Sequence, residues 1–111
     1  MKNVVSLIGR IGDDPQLKTT ESGKKVCNMS MATTAKWKND ANEKVEKTEW
    51  NRLVAWGKQA EVISEYVKKG HLLAIEGRIE YRDYVNKEGV KSYATDIVID
   101  DFHFINPKTS G

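Results

Sequence analysis

The chain has 111 residues, of which 39% are hydrophobic, and this suits one domain with a modest core. Its 18 lysines and arginines barely exceed its 16 acidic residues, so the net charge of +2 does not by itself indicate a polyanionic partner. A single cysteine excludes an intramolecular disulfide, and the two histidines give no zinc-ligand spacing. Without an apolar run long enough for a signal peptide or a membrane span, a reducing, cytoplasmic setting is expected.

The first half of the chain predicts a hairpin followed by a loop. Residues 4–11 alternate as in a strand, and the glycine, aspartates and proline at 12–15 predict a turn or bulge before the strand resumes at 16–20. After a second turn, apolar and polar residues alternate from 27 to 34 and predict a half-buried second strand. Residues 35–47 have no apolar periodicity and many charged side chains, so a solvated, mobile loop is expected there.

The second half of the chain predicts one helix and three strands. A third strand covers residues 48–56, and apolar residues at helical spacing then predict a helix over 58–70, with a glycine at its end. A long fourth strand over residues 71–84 contains Gly77, which predicts a sharp bend or a close backbone approach. A turn then leads into a fifth strand over residues 92–105.

Three strands, one helix and two strands follow the order of an OB-fold, which is an all-β, five-stranded Greek-key barrel with the helix between strands 3 and 4. An α+β sandwich would use the same elements, but a bent strand and the position of the helix favour the barrel. The domain is expected to cover residues 1–106 and to leave 107–111 as a short, flexible C-terminal end. The helix is expected to plug one end of the barrel with an apolar stripe made of Ala60, Ile63, Tyr66 and Val67.

The third strand carries the most informative side chains. Because side chains alternate along a strand, one face holds Trp50, Arg52, Val54 and Trp56. Two flat rings with a guanidinium between them suit unpaired bases, since every base has a π surface and every nucleotide a phosphate. The alternative is that both rings belong to the core. The arginine on their face argues against this and makes Leu53 and Ala55 the inward pair.

Four ordered blocks of sequence, correctly spaced, carry a family resemblance. They are NVVSLIGRIGDDP at 3–15, TEWNRLVAWGK at 48–58, AEVISEYVKKG at 60–70 and IEGRI at 75–79. On these blocks the chain resembles the bacterial single-stranded DNA-binding protein (SSB) family over nearly its whole length. The resemblance implies an OB-fold that assembles as a homotetramer, a dimer of dimers, and binds single-stranded DNA without a cofactor or a metal.

The resemblance and the residue pattern together give the candidate site residues. The stacking residues are expected to be Trp37, Trp50, Trp56 and Tyr84. The phosphate-binding residues are expected to be Arg10, Lys36, Lys38, Arg52, Lys58, Lys69, Arg78 and Arg82. Binding through rings and phosphates would be nearly independent of base sequence, and would serve replication, recombination and repair by coating and protecting unpaired DNA in the nucleoid.

Two departures from the family pattern affect what is expected of assembly and partners. Asn51 stands where the family often has histidine, near subunit contacts. Family members usually continue into a long tail with an acidic tip, whereas this sequence stops at Gly111, so recruitment of replication and repair proteins through such a tip is not expected.

Two other classes of protein use similar elements. A primosomal OB-fold protein of replication restart would keep the basic face, but typically has fewer stacking rings. A metal-dependent nuclease would need converging carboxylates, and the strand alternation places Asp96 and Asp100 on one face but Asp101 and His103 on the other. No enzymatic activity is therefore expected.

Overall fold

The computed structural model describes residues 3–105, which form six strands and one helix. The elements are β1 (Val5–Ile11), β2 (Gln16–Thr19), β3 (Lys25–Lys38), β4 (Lys44–Trp56), α1 (Gly57–Tyr66), β5 (Leu72–Val85) and β6 (Lys91–Phe104). The predicted C-terminal end at 107–111, and its boundary at 106, lie outside the described residues. Across residues 3–105, no helix has the length and hydropathy needed to cross a membrane.

The strands close into a barrel. Their hydrogen-bonded order is β1-β5-β6-β4-β3-β2, and β1 also pairs with β3 through Arg10 with Ala32 and Ile11 with Met31. This second pairing closes the sheet, which confirms the predicted OB-fold and excludes the α+β sandwich. The predicted first strand is split at its turn into β1 and β2, both antiparallel to β3. Counted as one strand, they leave α1 between the third and fourth strands, as predicted.

Strand alternation fills the barrel interior. Cys27, Met29 and Met31 of β3 and Leu53 and Ala55 of β4 are all buried, as the period of two predicts. Burial of such side chains contributes roughly 1.5–3 kcal/mol each for the larger ones. The inward face of these strands is therefore committed to the core, and the opposite face is left for other partners.

The helix plugs the barrel with fewer residues than predicted. Ala60, Ile63 and Val67 are fully buried in the core, but Tyr66 is 58% exposed and does not belong to the plug. The helix also ends at Tyr66 and not at Gly70. Val67 already has extended backbone, with ψ at 133°, while its N–H donates to the carbonyl oxygen of Ile63. The chain thus leaves the helix with the Val67 side chain still in the core.

Gly77 marks a close approach between strands. A Cβ at this position would collide with the backbone carbonyl of Val98 on β6. The pairing of β5 and β6 also shifts by one residue between Glu76 and Gly77, which is a β-bulge. Of the two predicted alternatives, the close backbone approach is thus confirmed, because only a glycine lets β6 lie so close.

The prediction of a loop at residues 35–47 is wrong. β3 and β4 pair without interruption from Val26 with Trp56 to Lys38 with Lys44, and only the turn between β3 and β4 is irregular. Residues 35–38 and 44–47 therefore form a two-stranded arm beyond the barrel. Most side chains on either face of the arm are exposed. The alternation of apolar and polar residues that reveals a half-buried strand is therefore absent.

Candidate nucleic-acid interface

The outer face of β4 carries the predicted aromatic residues. Trp50 is 64% exposed and Trp56 is 45% exposed, with the exposed Arg52 between them. Val54 shares their face but is buried, in register with Val98 of β6. The six residue steps from Trp50 to Trp56 span about 20 Å of strand. The two rings therefore cannot stack on one base, and they suit a strand that runs along β4.

The ring of Trp50 lies across β3 on Gly12. A Cβ on Gly12 would overlap the far edge of this ring, and it would also lie 2.9 Å from Oγ of Ser30. Ser30 in turn donates from its backbone N–H and its hydroxyl to Asp13, both at 3.1 Å. The edge of the indole is thus seated on a glycine, and the side chain stays largely exposed beside a pocket of about 250 Å³. Sequence reasoning missed this seat, because it depends on the pairing of β1 with β3.

Trp56 lies beside lysines from two parts of the chain. It is in register with Val26 of β3, and it lines one pocket with Lys24, Lys25 and Lys58. Lys58 is a predicted phosphate-binding residue, whereas Lys24 and Lys25 were missed. The register of the β3–β4 hairpin would have revealed them, since it places the start of β3 opposite the end of β4.

Trp37 lies on the arm and is 47% exposed. It faces Val45 across the arm, and Lys36 and Lys38 point to the opposite face by strand alternation. The predicted lysines therefore flank the ring in sequence but lie on the other side of the ribbon. Lys44, opposite Lys38, joins them there and was missed by sequence reasoning.

Tyr84 extends the aromatic surface onto β5. It is 43% exposed, and the guanidinium carbon of Arg82 lies 5.7 Å from the centre of its ring, within cation–π range. Alternation along β5 places Arg78, Arg82 and Tyr84 on one outer face, as predicted.

Carboxylates hold three of the four predicted arginines. Oδ2 of Asp96 on β6 accepts a hydrogen bond from Nε of Arg82 at 2.7 Å. Oδ1 of the same carboxylate lies 3.1 Å from Nε of Arg52. Arg78 is held by two acids, with Nη1 at 2.6 Å from Asp100 and Nε at 3.3 Å from Glu80. Arg52 and Arg82 together with one carboxylate keep a net positive charge, whereas Arg78 with its two acids does not.

Arg10 and Lys69 lie near the end of β1. Arg10 is in register with Ala32, which is in register with Trp50, so the arginine shares the outer face with that ring. Its Nη1 donates to the carbonyl oxygen of Gly70 at 3.0 Å. The backbone N–H of Lys69 donates to Asp14 at 2.8 Å, which ties the segment after α1 to the turn between β1 and β2.

The acidic residues of β6 differ from the prediction in one respect. The bulge opposite Gly77 returns Phe102 to the core, so Asp101 and His103 point outward like Asp96 and do not take the opposite face. Asp101 and His103 pair with each other at 3.3 Å. Among residues 3–105, no group of three His, Cys, Asp or Glu side chains is placed to hold a metal ion.

Comparison with known proteins settles the family. The model of the single-strand binding protein family matches residues 2–105. The chain belongs to this family. Among curated relatives, Single-stranded DNA-binding protein 1 of Chlorobaculum tepidum is 46% identical over 110 residues, which are 98% of this chain and 68% of that protein. The Single-stranded DNA-binding protein of Neisseria meningitidis is 41% identical over 103 residues, which are 93% of this chain and 59% of that one.

A solved family structure shares the fold. The SSB of Plasmodium falciparum in complex with ssDNA superposes with a TM-score of 0.89 at 28% sequence identity, over 96% of this chain and 97% of that one. The chain therefore matches nearly the full length of that structure, but only about three fifths to two thirds of the length of the curated relatives.

Proposed function

We propose that this chain binds single-stranded DNA without sequence preference and has no enzymatic activity. The observation that carries the proposal is the pair of exposed rings, Trp50 and Trp56, on the outer face of β4 with Arg52 between them. Stacking of a base on an aromatic ring contributes roughly 1–3 kcal/mol and tolerates every base. Relatives named for this binding, and a family structure with ssDNA bound, support the same conclusion.

The strand would lie along the aromatic rings and meet basic residues beside Trp50, Trp56 and Tyr84, and on the reverse face of the arm from Trp37. Trp37 and Tyr84 extend the stacking surface beyond β4, to the arm and to β5. The phosphate-binding set is proposed to be Arg10, Lys36, Lys38, Arg52, Lys58, Lys69, Arg78 and Arg82, joined by Lys24, Lys25 and Lys44. Arg78 is the weakest member, because two acids already hold it.

We further propose a homotetramer that coats unpaired DNA during replication, recombination and repair, in the cytoplasm and associated with the nucleoid. Along residues 5–8, β1 pairs only with β5. Its other backbone edge there has no partner strand within residues 3–105, so it is open to a second copy of the chain. Ile8, 62% exposed beside this edge, supplies apolar surface for such a contact. The four aromatic rings favour coating of single-stranded DNA over the primosomal alternative, which typically has fewer stacking rings.

The deciding experiment is a titration of the protein with oligo-dT, followed by tryptophan fluorescence at two salt concentrations. Stacking on Trp37, Trp50 and Trp56 predicts strong quenching that salt weakens, with little change on adding a DNA duplex. Equal binding of the duplex, or no quenching at all, would assign the rings a structural role. Incubating a labelled strand with the protein and Mg²⁺ is expected to leave the strand intact, and cleavage would refute the non-enzymatic proposal.

A further inference from the structure

Asp96 is the one charged residue buried among residues 3–105, and it lies in the middle of the proposed DNA-binding face. Its side chain is 11% exposed, whereas those of Arg52 and Arg82 on either side are 49% and 45% exposed. The carboxylate thus lies below two guanidinium groups that reach into solvent. The arrangement spans three strands, because Arg52 comes from β4, Asp96 from β6 and Arg82 from β5.

Both arginines meet the carboxylate through Nε and not through their terminal nitrogens. Arg82 donates from Nε to Oδ2 at 2.7 Å, and Nε of Arg52 lies 3.1 Å from Oδ1, close but not aligned for a hydrogen bond. No residue in the described part of the chain accepts a hydrogen bond from Nη1 or Nη2 of either arginine. Each guanidinium therefore keeps its outer fork of N–H donors for another acceptor, and such a fork matches phosphate geometry.

We propose that Asp96 is a positioning residue for DNA binding: it fixes Arg52 and Arg82 by their Nε atoms, so that both outer forks are presented between the stacking rings for the phosphates of one strand. This inference rests on the proposed function. The carboxylate also offsets the repulsion between two neighbouring cations. Arg52 is thereby held between Trp50 and Trp56, and Arg82 is held beside Tyr84.

The substitution Asp96→Asn separates positioning from charge, because the two effects have opposite signs. Removing a negative charge from a DNA-binding face makes its potential more positive, and this alone would tighten binding and steepen its salt dependence. Loss of positioning instead leaves two long side chains to be ordered by the DNA, which weakens binding. We expect D96N to bind oligo-dT roughly threefold to tenfold more weakly than the wild type. Its salt slope is expected to become shallower, by about 0.7 for each phosphate that the arginines no longer bind.

Asp100→Asn is the matched control. It removes the same charge from the same strand, but Asp100 holds Arg78 by Nη1, the terminal nitrogen that a phosphate would need. D100N is therefore expected to bind at least as tightly as the wild type. Thermal unfolding of each variant, followed by circular dichroism, establishes that the fold is retained. A D96N variant that binds as tightly as the wild type, or D96N and D100N weakened equally, would overturn the inference.

A second experiment tests whether Asp96 affects DNA binding through the two arginines. In a background carrying Arg52→Gln and Arg82→Gln, Asp96→Asn is expected to cause no further loss of affinity, because the groups it positions are gone. The same loss in this background as in the wild type would mean that Asp96 acts through the fold, and would overturn the inference. Failure of the wild type itself to bind oligo-dT would instead overturn the proposed function.

Discussion

At the scale of single residues, the seat of Trp50 gives the most direct prediction. In Gly12→Ala, the new methyl group would occupy the space of the indole edge, so the ring must tilt away from β3. Both contacts are with side chains and not with backbone, since the methyl group would meet the far end of the exposed indole and the hydroxyl of Ser30, so the fold should be barely affected. We expect an unchanged thermal midpoint and a loss of oligo-dT affinity within the range of about 1–3 kcal/mol for one stacked base, measured by fluorescence titration.

Gly77→Ala is the contrasting variant. Its methyl group would collide with the backbone carbonyl of Val98, which cannot turn aside as an indole can. We expect a clear fall in the thermal midpoint of G77A, in contrast to G12A. If G12A also unfolds early, or binds as tightly as the wild type, Gly12 does not act through the placement of Trp50.

Cys27 gives a prediction for pH. Burial, and then the negative charge of Asp13, raise the pKa of its thiol from an ordinary 9.0 to about 11. Below pH 9 the thiol is protonated in both the folded and unfolded states. Between pH 9 and 11 the unfolded chain releases this proton and the folded chain keeps it, so the thiol lowers stability as pH rises, by about 2 kcal/mol at pH 11.

The comparison with Cys27→Ala isolates this effect, since the lysines and tyrosines titrate in both proteins. Urea unfolding at pH 7 should find the wild type more stable, because alanine leaves a small cavity in the core. The advantage is expected to shrink by about 2 kcal/mol between pH 8 and pH 11. A difference that stays constant over this range would show that the thiol does not titrate in the unfolding equilibrium.

How far the site could be predicted depends on how many strands it joins. The outward rings and the inward Leu53 were predictable, because a period of two along a single strand decides which face a residue takes. The place of Asp96 between Arg52 and Arg82 was not predictable, since it depends on the register among three strands that are distant in sequence. The bulge opposite Gly77 hid the outward direction of Asp101 for the same reason.

At the scale of elements, the same principle explains the errors in the fold. The barrel strands were predictable because one face is buried and the other solvated. The arm at 35–38 and 44–47 was not, because it exposes side chains on both faces and is identified only by its pairing. The helix end at Tyr66 was missed because the following Val67 remains in the core although its backbone is extended, so the apolar spacing continues past the helix.

The arm is expected to be the least stable part of the sheet. A two-stranded ribbon without a packed face is only marginally stable, so the amides of residues 35–38 and 44–47 should exchange hydrogen much faster than those of the barrel. Bases stacked on Trp37 would hold the ribbon together and slow this exchange. Hydrogen–deuterium exchange with and without oligo-dT measures the effect, with the barrel-plugging helix α1 as an internal control. If the arm amides exchange equally fast with and without oligo-dT, Trp37 is not part of the binding surface.

At the scale of the whole molecule, the charge is distributed to favour local over long-range attraction. The net charge of +2 gives only a weak overall field. Basic residues nevertheless lie close to the rings of the barrel, with Lys24, Lys25 and Lys58 around Trp56 and Arg82 against Tyr84. Affinity should therefore divide into a stacking part that survives high salt and a phosphate part that does not.

Two neighbouring substitutions test this division. Lys58→Gln removes one phosphate-binding cation, so the plot of log Kobs against log salt should become shallower by about 0.7 and the affinities should converge with the wild type at high salt. Trp56→Ala removes a ring, so affinity should fall by a similar factor at every salt concentration, with the slope unchanged. Both variants are measured with the same oligo-dT across a salt series. A change of slope in W56A, or an unchanged slope in K58Q, would mean that stacking and phosphate binding are not separable on this face, and that each ring is placed by the cations around it.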